Sequence, residues 1–496
     1  MVTKIVVLAI YFSILLLIGW LASRKVKGMQ DYYVGGKNVG YWAATFSARA
    51  TGESAWLLLG LTGMGAMVGV SAYWVVVGEV LGVAGSWFLM AKKFKTQTDQ
   101  YGSITIPDFL EDHFKTGKQT IRKVAAIALS LFVVIFVSSQ IDATGKAFES
   151  LLNVNYYTGA IIGFVIVIAY SYLGGFLAAV WSDFFQGILM LIGLVVLPIV
   201  AFQTIGSIDE VSIGLSNIDP NLLSLFGDTS DPWIAVATIL GFAMIGLGFL
   251  GSPQIYVRFM SMKSPAEIDK GKWIAIAFTI ITDSAAVTIG LLGRYLHTKF
   301  GQDPEMVLGT AAENVIIVMM DNLLPLTLVA VYIAVILSAI MSTIDSLIIV
   351  ASSAITRDLY QKVMNPNIEI EQLTKLSKIV TLLLACLALV LAMSVAVLSP
   401  ERTIFWFIIF GWSGIAATFC PVIILSLFWK GYTEKGAISS MVVGFLCIPF
   451  FKFVIQPIDG IGVYFEKLDV LFPSFILSML VGYIVSKFSP SKPLFC

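Results

Sequence analysis

The sequence predicts an all-α polytopic membrane protein, on three observations. The chain has 496 residues, of which 58% are hydrophobic and only 12% charged, about half the charge of an ordinary soluble domain. Its apolar residues gather into runs of about 20, the length of helix that crosses ~30 Å of hydrocarbon with its backbone amides bonded internally. The short-period alternation of a membrane β-barrel is absent.

Thirteen spans are expected, roughly at 4–24, 41–68, 72–91, 122–149, 157–173, 177–203, 233–255, 272–297, 325–355, 374–398, 403–429, 436–456 and 468–487. The first run has no small-residue cleavage site behind it and reads as a retained span rather than a signal peptide. The third is followed by "SITIPDFLEDHF", where Pro107 and Asp108 start a short helix. The sixth leads into a polar, acidic connection, 204–232, without Lys or Arg. The eighth is followed by 300–322, expected as a short surface helix. Loops after odd-numbered spans, with the C-terminal tail, hold 23 Lys and Arg and the opposite side holds 7; Arg49 alone of the 31 falls within a span. The positive-inside rule then places the N-terminus outside, the C-terminus in the cytoplasm and the protein in the plasma (inner) membrane.

Several functions are disfavoured. Zero net charge gives no electrostatic case for nucleic acid, and no obligate protein partner is implied. Cys386, Cys420, Cys447 and Cys496 have no metal-ligand spacing, and His113 and His297 belong to no catalytic cluster. An enzyme is therefore not expected. A sensor would need a signalling module after the last span, and the residues beyond Lys487 suggest none.

Two spans are punctuated where a continuous helix is difficult. Span two carries "RATGES" around Gly52, and span seven carries "GLGFLGSP" with Gly246, Gly248, Gly251 and Pro253. They lie five spans apart. Paired interruptions of this kind mark inverted repeats with a binding site near the bilayer midplane, where unwound carbonyls hold small cations. Spans 2–6 and 7–11 then form a five-plus-five inverted-repeat core. The expected units are 41–204 and 233–429, joined by the outside loop 205–232, with 1–40 and 430–496 as additions. A single glycine or proline in a membrane helix also serves close packing; the pairing carries the expectation.

Ionisable groups within spans cost about 2.5–3.5 kcal/mol each and mark function by default. They are Arg49, Glu53, Glu79, Asp142, Asp183, Asp283 and Asp345. Arg49 and Glu53 are spaced i, i+4, as an ion pair, as two ends of a zwitterion clamp, or with Glu53 alone serving a cation. Asp142 and Lys146 read as a local pair, and Glu79 and Asp283 as structural. Buried carboxyls such as Glu53 or Asp345 leave proton coupling as an alternative.

Six strings, "DYYVGGKNVG", "ESAWLLLGLTG", "YSYLGGFLAAVWSDFFQG", "GLGFLGSPQIYVRFM", "LSAIMSTIDSLIIVASSAITRDLY" and "FGWSGIAATFCPVIILSLFW", span nearly the whole chain and resemble the sodium/solute symporter family, nearest its sodium/proline branch. The resemblance implies a LeuT-like fold and sodium-coupled uptake of a small organic solute by alternating access. The solute would be proline or a related amino acid; alternatives are another amino acid, a sugar or a carboxylate. It also implies a sodium site of main-chain oxygens at Ala50 and Glu53, the Ala339 carbonyl and the Ser342 and Thr343 hydroxyls. Asp183, Asp345 and Ser346 would form a further cation pathway.

Solute contacts carried over are Ser54, Ala55, Trp56, Phe136, Ile245, Gly246 and Phe249, with Ser252 and Pro253 at the second break; Gln140, one turn from Phe136, would line the same cavity. Phe136 and Phe249 stand where the proline branch has tyrosines, Ile245 where it has tryptophan, and Ser346 where it has cysteine. The branch's aspartate in the first broken helix falls on Gly52, and the acid stands one residue later, at Glu53.

Overall fold

The computed structural model describes residues 2–115 and 117–489; Lys492 and Cys496 lie outside the described residues. Among the described residues there is no strand, only one isolated bridge between Val39 and Met262. Eleven helical stretches are long and apolar enough to cross a membrane, and Tyr156–Tyr172 is a shorter apolar helix. The 61-residue stretch Tyr41–Tyr101 would run about 90 Å as one straight helix, three times the hydrocarbon thickness. It breaks at Gly69, in a left-handed conformation (φ 66°), and makes two crossings. With that division the helices match the thirteen expected spans.

The first crossing is α1 (Val2–Ser23). The second is interrupted: α2 (Tyr41–Ala55) passes through a π-helical stretch, Trp56–Leu61, into α3 (Thr62–Val68), and α4 (Tyr73–Ala84) begins the third. The expected loop helix is α5 (Ile106–Phe114). Thr105 caps it, its hydroxyl accepting the Asp108 amide at 3.0 Å, and Pro107 fills an N-terminal position that needs no amide donor. There follow α6 (Thr120–Leu152) and α7 (Tyr156–Ile205), which turns at Gly175 (φ 55°) into two spans. The seventh span is again interrupted, as α8 (Pro232–Ala243), a 3₁₀ stretch Met244–Leu250 and α9 (Pro253–Ser261). The remainder are α10 (Pro265–His297), α11 (Leu326–Ser353), α12 (Ile370–Leu398), α13 (Ile404–Phe428), α14 (Glu434–Phe450) and α15 (Leu471–Phe488).

The central helix is α11, with every residue from Tyr332 to Ser353 buried. A helix buried on all sides is enclosed by others, and α1, α2, α6 and α7 pack around it. Small residues let backbones meet elsewhere. Gly78 of α4 lies so close to Gly246 that a Cβ on Gly246 would stand 1.9 Å from the Gly78 carbonyl.

Several expectations change. The segment 300–322 is more than a surface helix, because Val315–Leu323 buries Val315, Ile316, Met319 and Met320. Asp142 and Lys146 are not each other's partners: Asp142 pairs with Arg402 and accepts the Tyr156 hydroxyl at 2.6 Å, while Lys146 donates to the Arg402 carbonyl at 2.6 Å. Arg258, counted above with an inside loop, is wholly buried. Arg49 is thus not the one basic group enclosed by the bundle.

Candidate sodium and solute site

The first break falls at Ser54 (φ 49°, ψ −167°), two residues after the glycine that signals it. This conformation costs a non-glycine residue about 1–3 kcal/mol and persists only where surroundings impose it. Gly52 stays helical and leaves room for Phe249; a Cβ there would meet the Phe249 ring at 2.8 Å. The second break runs through Gly251 (φ 162°) and extended Ser252, and α9 restarts at Pro253. Ser252 closes it by donating to the Gly248 carbonyl at 2.6 Å.

The unwinding after α2 brings its carbonyls against α11. Ser342 Oγ lies 3.0 Å from the Ala50 carbonyl and 3.1 Å from that of Ala339. Thr343 Oγ1 lies 3.1 Å from the Thr51 carbonyl and 3.3 Å from that of Ala339. Five neutral oxygens on two helices thus converge, the donor set that suits a small hard cation. The Glu53 carbonyl accepts the Trp56 amide instead, and Thr51, unnamed by the sequence reading, stands in the ring.

Below this ring lies a charged group. Asp183 accepts from Ser47 (2.6 Å), Arg258 (3.1 Å) and Thr51 (3.3 Å). Ser346 lies 3.0 Å from Thr51 Oγ1, 3.1 Å from Asp345 and in contact with Arg258. The three pathway residues therefore come together, around an arginine the sequence reading did not place there. Its signal was available: Arg258 follows Pro253 by five residues, within "IYVRFM".

The solute residues gather between the two breaks. The Ala55 amide donates to Gln140 Oε1 at 3.2 Å, and Gln140 Nε2 is buried with no partner. Trp56 Nε1 donates to the Gly52 carbonyl at 3.0 Å. Phe136 and Phe249 both pack on Trp412, with centroids 6.3 and 5.0 Å away, and Trp412 Nε1 donates to the Ile245 carbonyl at 3.0 Å. Trp412 was not among the expected contacts. Gly246 faces the backbone of α4, as described above, and serves that crossing.

A cavity of about 480 Å³ lies on the side of loop 205–232, lined among others by Gly60, Asp219, Glu313 and Phe405. Phe405 stands edge-on to Trp56 at 6.3 Å. Elsewhere, ion pairs join α5, the start of α6 and the turn after α11. Arg122 bonds Asp108 and, at 2.7 Å, Asp358; Arg357 bonds Asp108 at 3.0 Å; Thr105 donates to Asp358 at 2.9 Å.

Comparison with known proteins agrees with this architecture. The osmoregulated proline transporter OpuE of Bacillus subtilis is 33% identical over 97% of this chain and 94% of its own length. The high-affinity proline transporter PutP of the same organism is 34% identical over 95% of each. Among solved structures, a Na⁺-coupled sialic acid symporter in a substrate-bound outward-open state superposes with a TM-score of 0.78 at 18% identity, over 99% of both chains. MhsT in complex with L-phenylalanine gives 0.53 at 15% identity, over 90% of this chain and 98% of that one. These likenesses establish the five-plus-five inverted-repeat fold. Residues 32–444 match the sequence profile of the Sodium:solute symporter family, so with its broken helices and oxygen ring this chain belongs to that family and is a sodium-coupled symporter, not an enzyme.

Proposed function

We propose that the protein carries proline or a related amino acid inward with sodium, by alternating access. The observation that carries the coupling site is the oxygen ring. Sodium held by the Ala50, Thr51 and Ala339 carbonyls and the Ser342 and Thr343 hydroxyls would bridge the break in α2 to the central helix. The Glu53 carbonyl would join when its bond to Trp56 opens. Asp183, Asp345 and Ser346 would form the route by which the ion leaves, with Arg258 as the fixed counter-charge.

The solute reading is supported by the two Bacillus relatives, both named for proline. Ser54, Ala55, Trp56, Gln140, Phe136, Phe249, Ile245 and Trp412 would surround the solute, and the free amide of Gln140 would donate to its carboxylate. Phe136 and Phe249 lack phenol hydroxyls, and Ile245 lacks a ring. That favours a pocket more apolar than the branch pattern implies, and a different small amino acid is the second reading.

The repeat boundaries, 41–204 and 233–429, with 1–40, 205–232 and 430–496 outside them, are proposed on the positions of the two breaks. The outside N-terminus and cytoplasmic C-terminus are proposed on the loop charges, which remain 22 to 7 after Arg258 is withdrawn. In that orientation the cavity faces outward and the Arg122–Asp108–Asp358 cluster closes the cytoplasmic end. One sodium ion falling through 100 mV gains about 2.3 kcal/mol, roughly 50-fold in accumulation.

The test is uptake of labelled proline into proteoliposomes under an inward sodium gradient and, separately, an inward proton gradient. Sodium-driven uptake supports the reading. Uptake driven by protons alone moves coupling to the buried carboxyls. Absence of uptake in both removes proline and directs screening to other amino acids.

A further inference from the structure

Glu53, Glu79 and Asp283 are far apart in sequence, on α2, α4 and α10, and the fold brings them together. One oxygen from each lies within 4.8 Å of the others, and all three side chains are buried. One basic side chain, Arg49, reaches them: its Nη2 contacts Glu53 Oε1 and lies 3.4 Å from Glu79 Oε2. Its guanidinium also rests on the Phe249 ring, 4.8 Å from the centroid.

That arginine leaves the cluster incomplete. Glu53 Oε2, Asp283 Oδ2 and Arg49 Nε are buried without any hydrogen-bond partner. Asp283 Oδ1 accepts from its neighbour Thr282 at 3.1 Å, and the Asp283 carboxyl faces that of Glu53. Three carboxyl groups face one guanidinium, so when all three are ionised two negative charges have no counter-charge among these side chains. Two unit charges no more than 4.8 Å apart repel by at least about 3 kcal/mol even at an effective dielectric of ~20, and a buried charge without a partner costs several kcal/mol more.

We propose that Glu53, Glu79 and Asp283 form a second sodium site, with Arg49 as its resident counter-charge. The size agrees. A hard cation sits ~2.4 Å from each oxygen ligand, so oxygens of one shell lie within ~4.8 Å of each other. The place also agrees. Glu53 is two residues from Thr51, whose carbonyl stands in the oxygen ring, so the same unwound turn touches both sites. The ring is neutral and the trio is anionic; two ions, one in each, offset the trio's excess charge. Occupation of the trio would steady α2 just ahead of Ser54 and draw α4 and α10 toward it.

This inference rests on the sodium-coupled reading above, and the experiment separates the two. The measurement is equilibrium binding of radiolabelled sodium to the purified full chain, counted per protein. The expected result is two ions for the natural chain and one for Glu79→Gln, for Asp283→Asn and for the Ser342→Ala/Thr343→Ala pair. A count of one that Glu79→Gln leaves unchanged and Ser342→Ala/Thr343→Ala removes overturns the second site and leaves symport standing; a trio holding only protons gives this result. No binding in the natural chain overturns both. If Asp283→Asn does not fold, the sodium dependence of uptake in Glu79→Gln decides. It should change from sigmoidal to hyperbolic, and a curve of unchanged shape overturns the proposal.

Discussion

Ser342 of the central helix and Ala50 of the first broken helix meet through a hydroxyl and a carbonyl 3.0 Å apart. A cation entering between them would replace the hydrogen bonds that Ser342 Oγ donates to the Ala50 and Ala339 carbonyls. Ser342→Ala with Thr343→Ala should therefore abolish sodium-stimulated uptake while the protein keeps its elution profile and thermal midpoint. Either single change should raise half-saturating sodium about tenfold, equivalent to ~1.4 kcal/mol. Unchanged sodium dependence in the double variant would remove the ring as the site.

The two breaks were legible because glycine and proline punctuate a helix visibly, and the five-span interval between them exposed the repeats. The break's own residue was not legible. Ser54 has no propensity for its conformation, which is imposed by the bond network around Ala55 and Trp56. Arg258 was misplaced because loop-charge counting assigns every basic residue near a span end to water. Glu79 and Asp283 appeared structural because each is alone in its own helix, and only the crossing of α2, α4 and α10 shows what they face.

Asp183→Asn should lower the thermal midpoint strongly. Arg258 is fully buried, its other hydrogen-bond partners, Ser47, Ser346 and the Gln254 carbonyl, are neutral, and Asp345 acts on it without a direct ion pair. Removing one half of such a pair costs about 3–5 kcal/mol. Adding Arg258→Met should recover most of the loss, as read by thermal unfolding in detergent. A double variant no more stable than Asp183→Asn alone would mean the two groups are not coupled.

Glu53→Gln should impair uptake and lower thermal stability more than Glu79→Gln. Glu53 is in direct contact with Arg49, whereas Glu79 stands at 3.4 Å, and Glu53 also precedes the break. Equal effects of the two changes would show that Arg49 does not distinguish them.

His113 offers a pH test away from the spans. It packs against Phe109 and Phe114, and burial, with some help from Lys115, pushes its pKa from 6.5 down to about 4. Folding therefore favours the neutral ring. The stabilisation is complete above pH 6.5 and is lost as pH falls toward 4, up to about 3 kcal/mol. Thermal midpoints of His113→Gln should fall less steeply than those of the natural chain over that window, and parallel curves would contradict the assignment.

Trp412→Phe tests the pocket wall at one hydrogen bond. The substitution keeps an aromatic ring for Phe136 and Phe249 to pack on, but removes the donor to the Ile245 carbonyl at 3.0 Å. That carbonyl lies in the 3₁₀ stretch Met244–Leu250, ahead of the second break. A lost buried hydrogen bond costs about 1–3 kcal/mol, so the solute KM should rise roughly fivefold to 150-fold. Half-saturating sodium should move much less, because the oxygen ring lies on α2 and α11, which Trp412 does not bridge. Equal shifts in both would mean that Trp412 supports the bundle as a whole rather than the solute pocket.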